Sequence, residues 1–161
     1  MTLETPLERL QEVAIAVAMR ESLWLYPVVE TAHILGFIVL VGAVVMFDLR
    51  VLGLSDRLPV RKLGAHLLPW SAASLILVVP TGLLMFLADA AALVSNPAFI
   101  LKMVLLLCAG ANAAAFHLGA YRSVATWDMG MPSPPAARLH ATVSLLLWIA
   151  IVGCGRAIAY V

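Results

Sequence analysis

Four histidines, one glutamate and one lysine fall in or at the edges of apolar stretches, where each is costly to bury. In YPVVETAHILGFIVLVGAVVMFDLR, His33 follows Glu30 by three residues, so the two share one turn of any helix formed there. Ionisable groups at membrane depth usually face a bundle interior or a cavity, which makes each a site candidate. His33 lies near the start of the first apolar block. His66 opens the second block, His117 closes the third and His140 opens the fourth, so these three share the opposite side.

Two such ligand levels, separated by roughly 20 Å at ~1.5 Å rise per residue, are the arrangement expected of a b-type haem protein. The His33 face continues through Gly36, Phe37, Leu40 and Ala43, and Gly36 would let a flat macrocycle approach the backbone. On the third block Met103, Leu106, Gly110, Ala113 and His117 form one stripe. On the fourth, His140, Ser144, Leu147 and Ile151 share a face, with Gly153, Gly155 and Arg156 beyond. Arg156 is placed to meet a propionate or to pair with Glu30. A second ligand beside His33 would come from Lys102, Met103 or Met85, or the iron would be five-coordinate, and a second site would use His66 with His117 or His140. The three histidines together also suit a transition metal such as copper, with Met129 and Met131 of DMGMP adding thioethers. Plainer readings exist for each feature. Histidines settle at interfaces, small residues pack membrane helices without a cofactor, and a lysine at a helix end snorkels. No Ser/His/Asp arrangement, P-loop, HExxH or dinucleotide fingerprint is present.

The elements that must position these groups are legible from composition. Of 161 residues, 63% are apolar and 12% charged, far from the about 25% charge usual in soluble domains. Mean hydropathy is +1.03. The apolar excess gathers into four blocks at about 25–47, 67–87, 98–120 and 139–160, each near the ~20 residues needed to cross a bilayer. Short links make neighbours antiparallel, so the expected fold is an all-α, multi-pass, up-down bundle of four transmembrane helices. Pro69 and Pro80 fall inside the second span. Ahead of the spans, Thr5, Pro6 and Glu8 form a helix-start signature, and Leu7, Leu10, Ala14 and Val17 recur at helical spacing. This predicts an interfacial helix over 5–21 within a single membrane domain 1–161. Leu58–Pro59 breaks the first link, Asn96–Pro97 marks a turn before the third span, and the stretch from Trp127 to Ala136 is irregular.

Net charge is +1, which suggests no nucleic-acid partner; the lipid bilayer is the expected environment. The links after spans one and three hold Arg50, Arg57, Arg61, Lys62, Arg122 and Arg138, six of the ten basic residues. By the positive-inside tendency this basic side faces the cytoplasm and both termini face the periplasm of a bacterial inner membrane. Cys108 and Cys154 both fall within spans and read as small buried apolar residues, with no disulfide implied.

The pattern TAHILGFIVLVGAVVMFDLRVLG … TGLLMFLADA … NPAFILKMVLLLCAGANAAAFH … SLLLWIAIVGCGRAIAY resembles an uncharacterised bacterial family of four-helix inner-membrane proteins, a domain of unknown function, over most of residues 28–160. More distantly it is similar to the HemJ-type protoporphyrinogen oxidases and the copper-resistance D membrane proteins. His33 and Gly36 match the HemJ-type histidine with its following small-residue stretch, and Lys102 and His117 match the lysine that opens a later span running on to a histidine. The resemblance implies His33 and Lys102 as haem ligands. The rest of the HemJ-type pattern does not recur here. The leading expectation is therefore a haem b-binding membrane protein of the redox or electron-transfer class, an oxidoreductase, with Glu30 beside the His33 site. Copper or small-solute transport through the inner histidines is the second reading. A cofactor-free accessory subunit of a larger membrane complex is the third, and the partners expected beside the bilayer are a second copy of the chain or such a complex.

Overall fold

The computed structural model describes residues 6–161, with side chains from residue 9 onward. Thr5, expected to cap the first helix, lies outside the described residues, as does the Glu8 side chain expected to complete its capping box. The described chain is built of helices: α1 (Pro6–Gln11), α2 (Ala14–Glu21), α3 (Leu25–Val51), α4 (Val60–Ala88), α5 (Ala90–Ser95), α6 (Pro97–Leu118) and α7 (Pro135–Ala157), with a 3-10 segment over Ala120–Thr126. Four of these, α3, α4, α6 and α7, have the length and hydropathy of membrane spans. The shortest, α6, has 22 residues. That is about 33 Å at ~1.5 Å per residue, enough for ~30 Å of hydrocarbon. The protein is a multi-pass membrane protein with a four-helix up-down core.

The spans pair as two hairpins, α3 with α4 and α6 with α7, and the hairpins join along α3 and α7. Among the described residues no Cα of α4 comes within 8 Å of one in α6, so the fourth side of the bundle stands apart. It is bridged near the terminal side by stacked Phe86 and Phe99, whose ring centroids are 5.8 Å apart. On the basic side Leu67 and Leu68 of α4 pack against a core of Phe47, Val51, Phe116, Val124 and Trp127. The α3–α4 pair is close because α4 buries small or short side chains toward it, Gly64, Ser71, Ser74 and Thr81.

Helix ends follow from local chemistry. α3 stops in a Schellman arrangement: Gly53 sits at φ +112°, its N–H bonds the Arg50 carbonyl, and the Leu54 N–H reaches the Leu49 carbonyl. Pro59 precedes α4, and Asp128 from the distant Pro-rich link supplies the α4 N-terminus with two acceptors. Its carbonyl takes the Val60 N–H at 2.9 Å and its carboxylate takes the Arg61 N–H at 2.7 Å. Asn96 caps α6 by accepting from the Phe99 N–H, and donates to the carbonyls of Ile158 and Val161 at the chain end.

The expected helix over 5–21 is two helices, broken at Glu12–Val13. α2 also packs against the bundle. Ala16 and Met19 are fully buried, with Met19 against Val29 and Ala88, and Arg20 donates to the carbonyls of Gln11 and Ala88. The spans begin and end differently from the expected blocks, most of all α3 and α4, which continue as helix into the basic link. The cause is that helix propensity and caps, rather than hydropathy, set where a helix stops.

Candidate functional site

The structure separates the sequence candidates into two levels. On the terminal side His33 of α3 leans on α4. Its Nδ1 lies 3.0 Å from the Val78 carbonyl and 3.0 Å from the Thr81 hydroxyl oxygen. A carbonyl only accepts, and the Thr81 hydroxyl spends its proton on the Leu77 and Val78 carbonyls. Nδ1 therefore carries the proton and donates to both, leaving Nε2 with a free lone pair. Phe37, one turn on, lies nearly parallel to the imidazole, 6.5 Å between centroids at 12°. Gly82 makes the approach possible, because a Cβ there would stand 3.1 Å from His33 Cε1.

The role expected of Gly36 is corrected. A Cβ on it would meet Val78 Cγ2 at 2.9 Å and Leu77 Cδ2 at 3.3 Å, so it is a helix-packing position of the α3–α4 contact and leaves no room for a macrocycle. Lys102 is half-buried on α6, and its Nζ stands 3.8 Å from the position a Gly155 Cβ would take on α7. Met103, next to Lys102, is half-buried, and Glu30 is exposed. Arg156 engages Tyr160, donating to its hydroxyl with the guanidinium carbon 4.6 Å from the ring centroid, and is not bonded to Glu30. A flexible arginine at a helix end finds the nearest aromatic one turn away.

On the basic side the three histidines have separate surroundings. His140 is half-buried, and its Nδ1 lies 2.8 Å from Asn112 Oδ1, while Asn112 Nδ2 donates to the His140 carbonyl at 3.0 Å. The Asn112 amide is thereby oriented, and His140 donates through Nδ1 as His33 does. His117 is exposed against Phe116 and Tyr121, with centroids 5.4 and 5.1 Å away. His66 is exposed. Among the described residues no three His, Cys, Asp or Glu side chains are grouped to hold a metal ion. Met129 and Met131 are each 59% exposed. The convergence of inner histidines on which the copper reading depends is thus not found.

Three residues not singled out from sequence carry polar chemistry within the spans. Asp48 is only 7% exposed, and its Oδ2 has no hydrogen-bond partner. Arg50 is 3% exposed and donates to the carbonyls of Leu58 at 2.6 Å, Asp56 at 3.0 Å and Asp128 at 3.1 Å, clamping both basic-side links. Asn112 joins α6 to α7. Their one shared signal was position within or beside an apolar block. Cys108 is exposed on the lipid-facing surface, contrary to its expected burial, and both cysteines are free. Concavities of about 540 and 340 Å³ open at the terminal side, one lined by Gln11, Arg20, Tyr26, Ala88 and Asp89, the other around Asp89, Asn96 and the chain end.

Comparison with known protein families finds no match, and no curated protein or solved structure matches the chain.

Proposed function

We propose that this chain is a haem b-binding membrane protein of the redox class, with His33 as an axial ligand through Nε2. The observation that carries the reading is the Nδ1–H contact of His33 with the Val78 carbonyl, shared with Thr81. Histidines that ligate a metal commonly donate their other ring N–H to a backbone carbonyl, which fixes tautomer and ring orientation and raises the basicity of the ligating nitrogen. Lys102 would be a second ligand, in agreement with the HemJ-type resemblance. A second site at the inner histidines is not part of the proposal.

A bound haem would supply one-electron chemistry. The chain's own residues do the rest. Val78 and Thr81 hold the imidazole, Phe37 and Gly82 flank it, and the apolar spans exclude water. The side bearing Arg57, Arg61, Lys62, Arg122 and Arg138 is assigned to the cytoplasm of a bacterial inner membrane.

Absorbance of the protein purified from haem-replete cells tests this directly. The expected result is a Soret band that His33→Ala abolishes and Thr81→Val shifts. A colourless wild-type protein, or an unchanged band in His33→Ala, refutes the assignment.

A further inference from the structure

The larger of the two concavities lies where two spans end. α4 finishes at Ala88 and α3 begins at Leu25. The cavity, about 540 Å³, is lined by Gln11, Arg20, Tyr26, Ala88 and Asp89. That volume falls in the range of small-molecule sites, about 300–1,000 Å³. Arg20, at the end of α2, is held in place. Its two terminal nitrogens donate to the Ala88 carbonyl at 3.3 Å and to the Gln11 carbonyl at 2.6 Å. A guanidinium carries five N–H donors in a planar fork, so among the described residues most of this fork is unspent on a group whose position is fixed. Such a fork suits a phosphate, which it can meet through two parallel bonds.

Asp89 joins α4 to α5 and is exposed. Its side chain does not cap α5, and Arg20 gives its bonds to carbonyls rather than to Asp89. One cavity therefore presents a cation and an anion that do not consume each other, with the Tyr26 phenol, both donor and acceptor, in the same lining. The complement of that lining is a zwitterion bearing a phosphate and a primary ammonium. Leu23 and Trp24, exposed in the turn ahead of α3, mark this level as the membrane interface, where tryptophan settles among headgroups. We propose that the cavity binds a phosphoethanolamine group, its phosphate on Arg20 and its ammonium on Asp89, presented by a phospholipid of the terminal-side leaflet. A choline group lacks the N–H donors that a carboxylate accepts, and a glycerol group lacks the cation, so both bind less well. The site uses none of the residues of the haem assignment, so the two stand or fall separately.

Native mass spectrometry of the full chain, released from detergent micelles doped equally with phosphatidylethanolamine, phosphatidylcholine and phosphatidylglycerol, tests it. The expected result is retention of phosphatidylethanolamine above the other two. Asp89→Asn, an exposed change that keeps the shape of the side chain, should lower that preference by about two- to fivefold, the effect of an exposed ion pair. Arg20→Ala should abolish it, and Asp89→Asn still reads the site where loss of the Arg20 contacts loosens α2. Soluble O-phosphoethanolamine added to the same mixture identifies the source. Retention of the lipid in its presence upholds the membrane source, whereas displacement overturns it and makes the free zwitterion the ligand. Equal retention of the three lipids by the wild type, or a preference unchanged in Asp89→Asn or Arg20→Ala, overturns the site.

Discussion

Replacing Arg50 with lysine keeps the charge and most of the length but removes the planar fork, and so isolates what the clamp contributes. Arg50 Nε donates to Leu58, and one terminal nitrogen donates to Asp56 and Asp128, at 2.6, 3.0 and 3.1 Å. A lysine is a compact charge on a flexible stem and does not reproduce that span. Hydrogen bonds to charged groups contribute about 1.5–3 kcal/mol each, and losses in one cluster are less than additive. Losing two of three therefore costs about 3–5 kcal/mol, the range for breaking a buried charged contact. At roughly 2–4 °C per kcal/mol, the apparent Tm should fall by about 10 °C. The loss is also directional, because Asp128 supplies both acceptors at the α4 N-terminus. Protease should then cut the links around 52–59 and 127–134 before any span is released. Thermal unfolding in detergent with mass-spectrometric mapping of early cleavage reads both effects. An Arg50→Lys protein within about 1 kcal/mol of wild type, with both links still protected, would refute the clamp.

Gly36→Ala should cost about 1–3 kcal/mol by overpacking, since the new methyl meets stiff, β-branched Val78 at 2.9 Å. The double variant Gly36→Ala/Val78→Ala should recover much of that loss in the same melt, and no recovery would place the strain elsewhere. Asn112→Ala removes both hydrogen bonds to His140 and should destabilise the α6–α7 pair by about 1–2 kcal/mol. His140→Ala in that background should add little, as a double-mutant cycle would report. Gly53→Ala, at φ +112°, should cost about 1 kcal/mol or more in the same assay.

The four spans were readable because hydropathy and length are properties of the sequence alone, and the Leu58–Pro59 and Asn96–Pro97 breaks because proline acts locally. Partners were another matter. Nothing local indicates that Arg50 bends back to three carbonyls, or that Asp128 caps a helix that starts 68 residues earlier; both depend on how two links meet. His33 was legible as a candidate, but its tautomer was set by Thr81 and Val78 on another helix. Gly36 misled for the same reason. A glycine beside an imidazole looks like space for a cofactor until the facing helix is known, and here Val78 fills it. Asp48 was hidden by its neighbours, since FDLR beside a basic link reads as the polar end of a span.

The polar groups within this bundle share one solution. Where charge or imidazole enters the apolar phase, it is met by helix carbonyls or by neutral side chains: Val78 and Thr81 for His33, Asn112 for His140, three carbonyls for Arg50. Such partners satisfy one proton or one lone pair and leave the other side of the group chemically available. For histidine that means a bare Nε2 on each level, and for Asp48 one unpartnered oxygen. A bundle stabilised by paired opposite charges would have consumed both sides, so the choice of neutral partners is what leaves one side of each of these groups unshared.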